Sequence, residues 1–261
     1  MNPKISSWNN KRVWIIGASS GIGAALAQQL HLQGARVALS ARNQSALAEL
    51  AKQAQLVHPT NTALVLPLDV KQADQVQLAF TQIMHEWQGI DLVCVVAGVY
   101  NEMRADTFDL ATANALIDVN LRGVLNCLAA TLPTLLAQKN GGIGIVSSVA
   151  GLSGLPKALI YGPTKAALIN LCESLYIDMH PRGNAVYLIN PGFVATSATA
   201  NNDFTMPALI TAEEAAKKIM LGMEQGDFHI HFPKRFTNWL RLARLMPYAW
   251  YFKLIHKVTG L

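Results

Sequence analysis

Short apolar, β-branched runs alternate with longer amphipathic stretches along almost the whole chain, and that rhythm leaves few folds open. Residues 12–16, 36–40, 63–67, 91–96, 142–147, 185–189 and 228–232 read as strands. Between them, residues 22–33, 44–55, 71–87, 112–138, 161–179 and 211–224 carry the apolar spacing of helices. The strands are apolar throughout rather than alternating, which is the pattern of strands buried on both faces. Strand–helix alternation of this kind gives an α/β fold, a parallel sheet covered by helices on both faces. Ligands of doubly wound sheets bind beyond the carboxyl ends of the strands, near the point where strand order reverses. There is no internal repeat and no low-complexity linker.

The first strand runs into Gly17-Ala18-Ser19-Ser20-Gly21-Ile22-Gly23, where a helix opens. Glycine there allows a tight turn and close approach of backbone to a phosphate, and the helix N-terminus favours an anion. The turn reads as the seat of a dinucleotide pyrophosphate. The second strand ends in Ser40-Ala41-Arg42-Asn43. No carboxylate stands there to hold the ribose hydroxyls of the unphosphorylated dinucleotide or to repel a 2′-phosphate. Arg42 can bind that phosphate through a charge-assisted fork, so NADP(H) is the expected cofactor.

Tyr161 and Lys165 are four residues apart, and on a helix they share a face. The ammonium is expected to stabilise a phenolate and to lower the tyrosine below its ordinary value of about 10. A tyrosine tuned this way passes a proton to or from a reacting oxygen. Ser148 precedes it by thirteen residues.

Taken in order, Gly17/Gly21/Gly23, Asp69-Val70, Asn120, Ser148 with Tyr161 and Lys165, and Pro191-Gly192 followed by Thr196 resemble the landmarks of the short-chain dehydrogenases/reductases, in their single-domain branch. The resemblance runs from about residue 12 to about residue 196 and implies a seven-stranded doubly wound (Rossmann) sheet. It implies that Tyr161 is the general acid in reduction and the base in oxidation. Lys165 would lower the tyrosine's pKa and hold the nicotinamide ribose, Ser148 would hydrogen-bond the substrate oxygen, and Asn120 would hold a water linking Lys165 to solvent. The thirteen-residue spacing selects Ser148 over Ser147. On the cofactor side it implies contacts from Ser19, Ser20, Ile22, Asn43, Ala97, Gly98, Pro191, Gly192 and Val194, an adenine contact at Asp69-Val70 and a carboxamide contact at Thr196. In relatives a basic residue just after the second strand marks NADP users. The position of Ser20 is often basic in them too, and here it is not.

The chain departs from the family pattern in one place. Where relatives read Asn-Asn-Ala-Gly it has Val95-Val96-Ala97-Gly98, and where they have threonine before the first glycine it has Ile16. Losing both polar partners together is nearly neutral, whereas losing one strands the other. The exchange reads as repacking.

Half of the 261 residues are hydrophobic, which argues for one large domain and against disorder. The three scattered cysteines, Cys94, Cys127 and Cys172, read as reduced thiols. The short polar N-terminus lacks a signal-peptide core, no uninterrupted membrane-spanning run is present, and the expected location is cytoplasmic. His229 and His231 alternate on a strand, but no further ligands accompany them and no metal is expected.

Residues 1–233 are expected to form the catalytic domain, and the resemblance implies a substrate lid at 193–210, which carries Phe204, Met206, Leu209 and Ile210. That lid suits a small hydrophobic carbonyl or alcohol. Residues 234–261 form a basic, aromatic extension. Lys234, Arg235, Arg241, Arg244, Lys253 and Lys257 give residues 228–261 a charge of +6 with no acid, against +5 for the whole chain. Trp239, Leu242, Ala243 and Met246 make one helical stripe, and Trp250, Tyr251, Leu254, Ile255 and Val258 another beyond Pro247. Cations and aromatics so spaced suit an anionic membrane interface, with the protein peripheral on it. Packing on the body, on a partner subunit of a homo-oligomer or over the substrate mouth is the other reading. Nothing resembles a nucleic-acid recognition module. The function expected is an NADP(H)-dependent oxidoreductase of a carbonyl/alcohol pair. The alternatives are a non-catalytic NADP(H)-binding sensor or scaffold, and a nonredox epimerase or dehydratase.

Overall fold

In the computed structural model, which describes residues 1–197, 199 and 206–260, the strands are β1 (Arg12–Ile16), β2 (Arg36–Ser40), β3 (Leu64–Val65), β4 (Leu92–Val95), β5 (Gly142–Val146), β6 (Ala185–Pro191) and β7 (His229–Phe232). They pair in parallel in the order β3-β2-β1-β4-β5-β6-β7. Strand order reverses between β1 and β4, whose register sets Val13 beside Leu92 and Ile16 beside Val95. The helices are α1 (Gly21–Leu32), α2 (Gln44–Val57), α3 (Ala73–Trp87), α4 (Leu110–Ile117), α5 (Gly123–Gln138), α6 (Tyr161–Met179), α7 (Ala212–Gln225), α8 (Lys234–Ala243) and α9 (Tyr248–Thr259).

Successive strand residues feed opposite faces. Trp14, Ile16, Val93, Val95 and Ile145 pack with Phe80 and Ile83 of α3, Leu128 of α5 and Leu168 of α6. Val13, Ile15, Cys94, Tyr187 and Ile189 pack with Leu26 of α1, Leu47 of α2 and Ile219 of α7. This two-sided burial is why the strands read as continuous apolar runs. Ile16 and Val95, the register partners that replace the family's polar residues, lie fully buried in one and the same core.

Most boundaries lie within a residue or two of the sequence reading, and four of the differences concern α3, α4/α5, β3 and β6. Residues 112–138 are not one helix: α4 begins at Leu110, capped by Asp109 accepting from Thr112 N at 2.7 Å, and a π-helical turn, Asp118–Arg122, separates it from α5. Helix α3 starts at Ala73 because residues 69–72 form a turn, with Lys71 N on Asp69 Oδ1 at 3.0 Å and Gln72 N on the Asp69 carbonyl. Strand β3, on the sheet edge, is two residues long, although Leu66 N and Leu68 N still donate to the carbonyls of Leu39 and Ala41 at 2.9 and 3.1 Å, with Pro67 between them. Strand β6 runs on to Pro191, because Asn190 and Pro191 still pair with His231 and Phe232. The stretch 110–138 is long and apolar enough to cross a membrane, but Val124, Cys127, Leu128 and Leu135 belong to the sheet core.

Candidate active site

A cleft of about 420 Å³ opens at the carboxyl ends of the strands, over the β1/β4 crossover. Its floor is the first turn. Gly17 has φ +97°, and a Cβ there would lie 2.5 Å from Ala97 N. Gly21 has φ +53°, and a Cβ there would meet the Thr196 methyl at 2.8 Å. Both positions therefore require glycine, for backbone angle and for space. Val96 N and Ala97 N both donate to the Ile16 carbonyl at 2.8 Å, which draws the two strand ends together.

Every residue expected to touch the cofactor lines this cleft: Gly17, Ser19, Ser20, Gly21, Ile22, Gly23, Arg42, Asn43, Asp69, Val70, Ala97, Gly98, Tyr161, Lys165, Pro191, Gly192, Val194 and Thr196. Ser148 lines it as well. Some of these side chains are already engaged. Asn43 caps α2, accepting from Ala46 N at 3.0 Å and from the Ser45 hydroxyl at 2.8 Å. Asp69 accepts from Lys71 N at 3.0 Å and pairs with the Lys71 ammonium at 3.7 Å. Arg42 forms no ion pair among the described residues.

Asn120 stands behind the cleft wall. It is fully buried in the π-helical turn, and its amide clamps Val99 at both ends: Val99 N donates to Oδ1 at 2.8 Å and Nδ2 donates to the Val99 carbonyl at 2.9 Å. The side chain thus fixes the loop after β4, which carries Ala97, Gly98 and Tyr100. Single π-helical turns inside α-helices are frequent at functional sites.

Tyr161 opens α6 and Lys165 follows one turn later. The Ser148 hydroxyl faces the phenol, and the Tyr100 ring meets the Tyr161 ring edge-on at 5.1 Å. Ser147 points the other way and donates to the Lys165 carbonyl at 2.7 Å. The electrostatics differ from the sequence expectation. Burial holds the Tyr161 phenol above its ordinary value, the hydrogen bond with Ser148 pulls it back down, and Tyr100 pushes it up. Lys165 is not among the causes of that shift: its Nζ donates to the Val146 carbonyl at 3.0 Å, 5.7 Å from the Tyr161 ring centroid, and burial lowers its own pKa to about 8. An ammonium has three donors, and Lys165 spends one on protein. Two spare donors beside a glycine cradle fit the ribose and pyrophosphate of a dinucleotide.

Sequence reasoning missed Tyr100 and Thr199. Tyr100 lies two residues beyond Gly98, at a strand's carboxyl end, and that position was the available signal. Thr199 braces Thr196, its hydroxyl donating to the Val194 carbonyl at 2.7 Å and accepting from Thr196 N at 3.1 Å. In the stretch expected to form the lid, Val194 and Ile210 form a bridge and Ala195 N donates to the Ile210 carbonyl at 2.9 Å; Phe204 lies outside the described residues. His229 and His231 bind no metal-like cluster among the described residues: His229 meets Asn190 Nδ2 at 2.9 Å, and His231 lies between Thr237 Oγ1 at 2.6 Å and Arg241 at 2.9 Å.

The sequence profile of the short chain dehydrogenases matches residues 11–206. An uncharacterised oxidoreductase of Myxococcus xanthus is 34% identical over 233 residues, 89% of this chain and 91% of its own length. One of Staphylococcus epidermidis is 34% identical over 212 residues, 81% of this chain and 90% of its own. Among solved structures, a short-chain dehydrogenase/reductase from Burkholderia phymatum in complex with NAD superposes with a TM-score of 0.83 at 22% identity, covering 92% of this chain and 94% of that one. Levodione reductase superposes at 0.79 with 19% identity, over 88% of this chain and 98% of that one. At these identities the two structures speak to the fold.

Proposed function

We propose that this chain, which belongs to the short-chain dehydrogenase/reductase family, interconverts a carbonyl and an alcohol on a hydrophobic or lipid-like molecule with NADP(H) as its cofactor. As a member of the family it is an oxidoreductase; the proposal concerns cofactor, substrate class and residue roles. The observation that carries the cofactor reading is Arg42, which lines the cleft just after β2 without an acidic partner, while residues 40–43 hold no carboxylate. NAD is held by the Burkholderia phymatum protein; in this chain the free guanidinium supports the phosphorylated form.

Bound in the glycine cradle, the nicotinamide would supply or accept the hydride. The chain's own residues handle the oxygen. Ser148 donates a hydrogen bond to the substrate oxygen as charge develops on it. Tyr161, kept protonated by burial, is poised to give its proton to that oxygen in reduction, and its phenolate takes it back in oxidation. Lys165 would hold the nicotinamide ribose through its remaining donors. Asn120 holds the wall that carries Tyr100, and Tyr100 limits how the tyrosine ring can turn. The apolar residues Phe193, Met206, Leu209 and Ile210 support the substrate class.

Fluorescence titration with NADPH and NADH tests the reading. The wild type is expected to prefer NADPH, and Arg42→Ala to weaken NADPH by about ten- to a hundredfold, the worth of a charge-assisted hydrogen bond, with little change for NADH. Equal affinity of the wild type for both cofactors refutes it.

A further inference from the structure

We infer that the outward face of α8 and α9 docks on an anionic lipid bilayer. The two helices lie beyond the residues matched by the family profile, and their inward side packs on the body. Leu240 and Ala243 are buried, Tyr251 and Ile255 pack with Leu155, and Tyr251 Oη donates to the Gly154 carbonyl at 2.7 Å. Phe236 packs on Phe193, ring centroids 5.7 Å apart. The tail is thus seated on two segments that border the cleft: the loop leading from Ser148 to Tyr161, and the stretch after β6.

The outward side is what a folded body does not need. Leu242, Leu245, Tyr248, Trp250, Phe252 and Val258 are each more than half exposed, and Leu245 and Tyr248 reach 79%. Six such groups on some 25 residues exceed the scattered apolar exposure of an ordinary surface. Lys234, Arg235, Arg241, Arg244, Lys253 and Lys257 stand among them, all exposed, Arg241 with its guanidinium also bonded to His231. None is paired with an acid among the described residues.

Charge decides between the candidate occupants. A second copy of this face would set six cations against six. Nucleic acid would neutralise the charge but leave the leucines and Val258 in water. An anionic bilayer takes both, with apolar groups entering the acyl boundary and cations at the headgroups. The inference does not depend on which cofactor the cleft holds.

Co-sedimentation of the full-length protein with phosphatidylcholine vesicles, with and without phosphatidylglycerol, tests it. Binding is expected with phosphatidylglycerol at about 0.1 M salt and is expected to fade toward about 1 M, as the Debye length falls from about 10 to about 3 Å. Arg244→Gln/Lys253→Gln should weaken it on the order of thirtyfold, since each basic residue near the surface contributes about fivefold. Leu245→Ser/Trp250→Ser should weaken it too, with thermal stability unchanged because both side chains are exposed. Protein left in the supernatant with both vesicle types at low salt overturns the inference. So does wild-type binding by both variants, or a vesicle-independent dimer in light scattering that Leu245→Ser/Trp250→Ser dissolves, which would make a second copy the occupant.

Discussion

Asn120 is the residue whose replacement separates a clamp from mere packing. Its amide is fully buried and makes two short bonds to Val99, with a weaker third contact from Nδ2 to Thr164 Oγ1 at 3.4 Å. Asn120→Ala removes two hydrogen bonds, each worth about 0.5–1.5 kcal/mol net, and leaves a cavity, for a total of about 2–4 kcal/mol. For a chain of this size that is a fall of roughly 5–15 °C in Tm. Asn120→Asp keeps the acceptor for Val99 N but turns the donor to the Val99 carbonyl into a second acceptor. Thr164 offers no relief, because its hydroxyl already donates to the Tyr161 carbonyl at 2.7 Å. A carboxylate there is buried and faces a carbonyl lone pair, so its folded pKa is raised above the unfolded value. The sign follows: the folded state takes up the proton more readily, and the deficit of Asn120→Asp relative to wild type should shrink as pH falls from about 8 to about 5, where a neutral carboxyl donates to Val99 as the amide did. Thermal unfolding of both variants across that range, each compared with wild type at the same pH, reads this directly. A deficit of Asn120→Asp that is flat with pH, or an Asn120→Ala Tm within a degree of wild type, refutes the clamp.

Two further outcomes follow from the site and the tail. Tyr161→Phe should lower kcat by about a hundred- to ten-thousandfold in a carbonyl-reduction assay while NADPH affinity stays near wild type, because the hydroxyl acts in proton transfer alone; a variant that keeps more than a few per cent of the rate removes Tyr161 from that role. Burial, aided by neighbouring cations, lowers His229 and His231 to about 4. Their folded values lie below the ordinary 6.5, so the stability they contribute is whole above about pH 6.5 and is lost as pH falls toward 4. Since the His231 ring accepts from Arg241 of α8, limited proteolysis should cut the tail faster near pH 4.5 than at pH 7, and equal rates count against the anchoring role.

The sheet was legible because its central strands, β1, β4, β5 and most of β6, are buried on both faces and carry no polar alternation to confuse the reading. The glycine turn and the Tyr161/Lys165 pair were legible because backbone angle and helical periodicity are local. What escaped was decided by residues far apart in sequence. The π-helical turn at Asp118–Arg122 is held by a bond from Asn120 to Val99, 21 positions away. The Tyr161 phenol is raised rather than lowered because the assembled cleft buries both it and Lys165, and no spacing rule counts that desolvation. In the tail, the helices are where the aromatic stripes place them, but the faces are not. Trp239 and Trp250 point outward while Leu240 and Tyr251, their neighbours in sequence, pack inward. A helix apolar on two sides leaves the choice of face to its contacts, here Gly154, Leu155 and Phe193.

The apolar exchange at the crossover allows a final test of how the cleft wall is fixed. Ile16 and Val95 face each other in register on β1 and β4, with relative exposures of 0% and 2%. No polar side chain of this pair ties the strand ends, so the tie falls to the Ile16 carbonyl, which accepts from Val96 N and Ala97 N, and to the Asn120 clamp beyond it. Restoring one polar member alone buries a group without a partner. Ile16→Thr should cost about 1–3 kcal/mol, and Val95→Asn more, because an amide brings both a donor and an acceptor. The double variant lets the hydroxyl and the amide satisfy one another. Its cost should therefore fall short of the sum of the singles by about 0.5–3 kcal/mol, the range seen for side chains in direct contact. Urea unfolding of the four proteins closes the cycle. Additivity within about 0.5 kcal/mol would mean that the two positions do not communicate across β1 and β4, and that reading their replacement as one coupled repacking is mistaken.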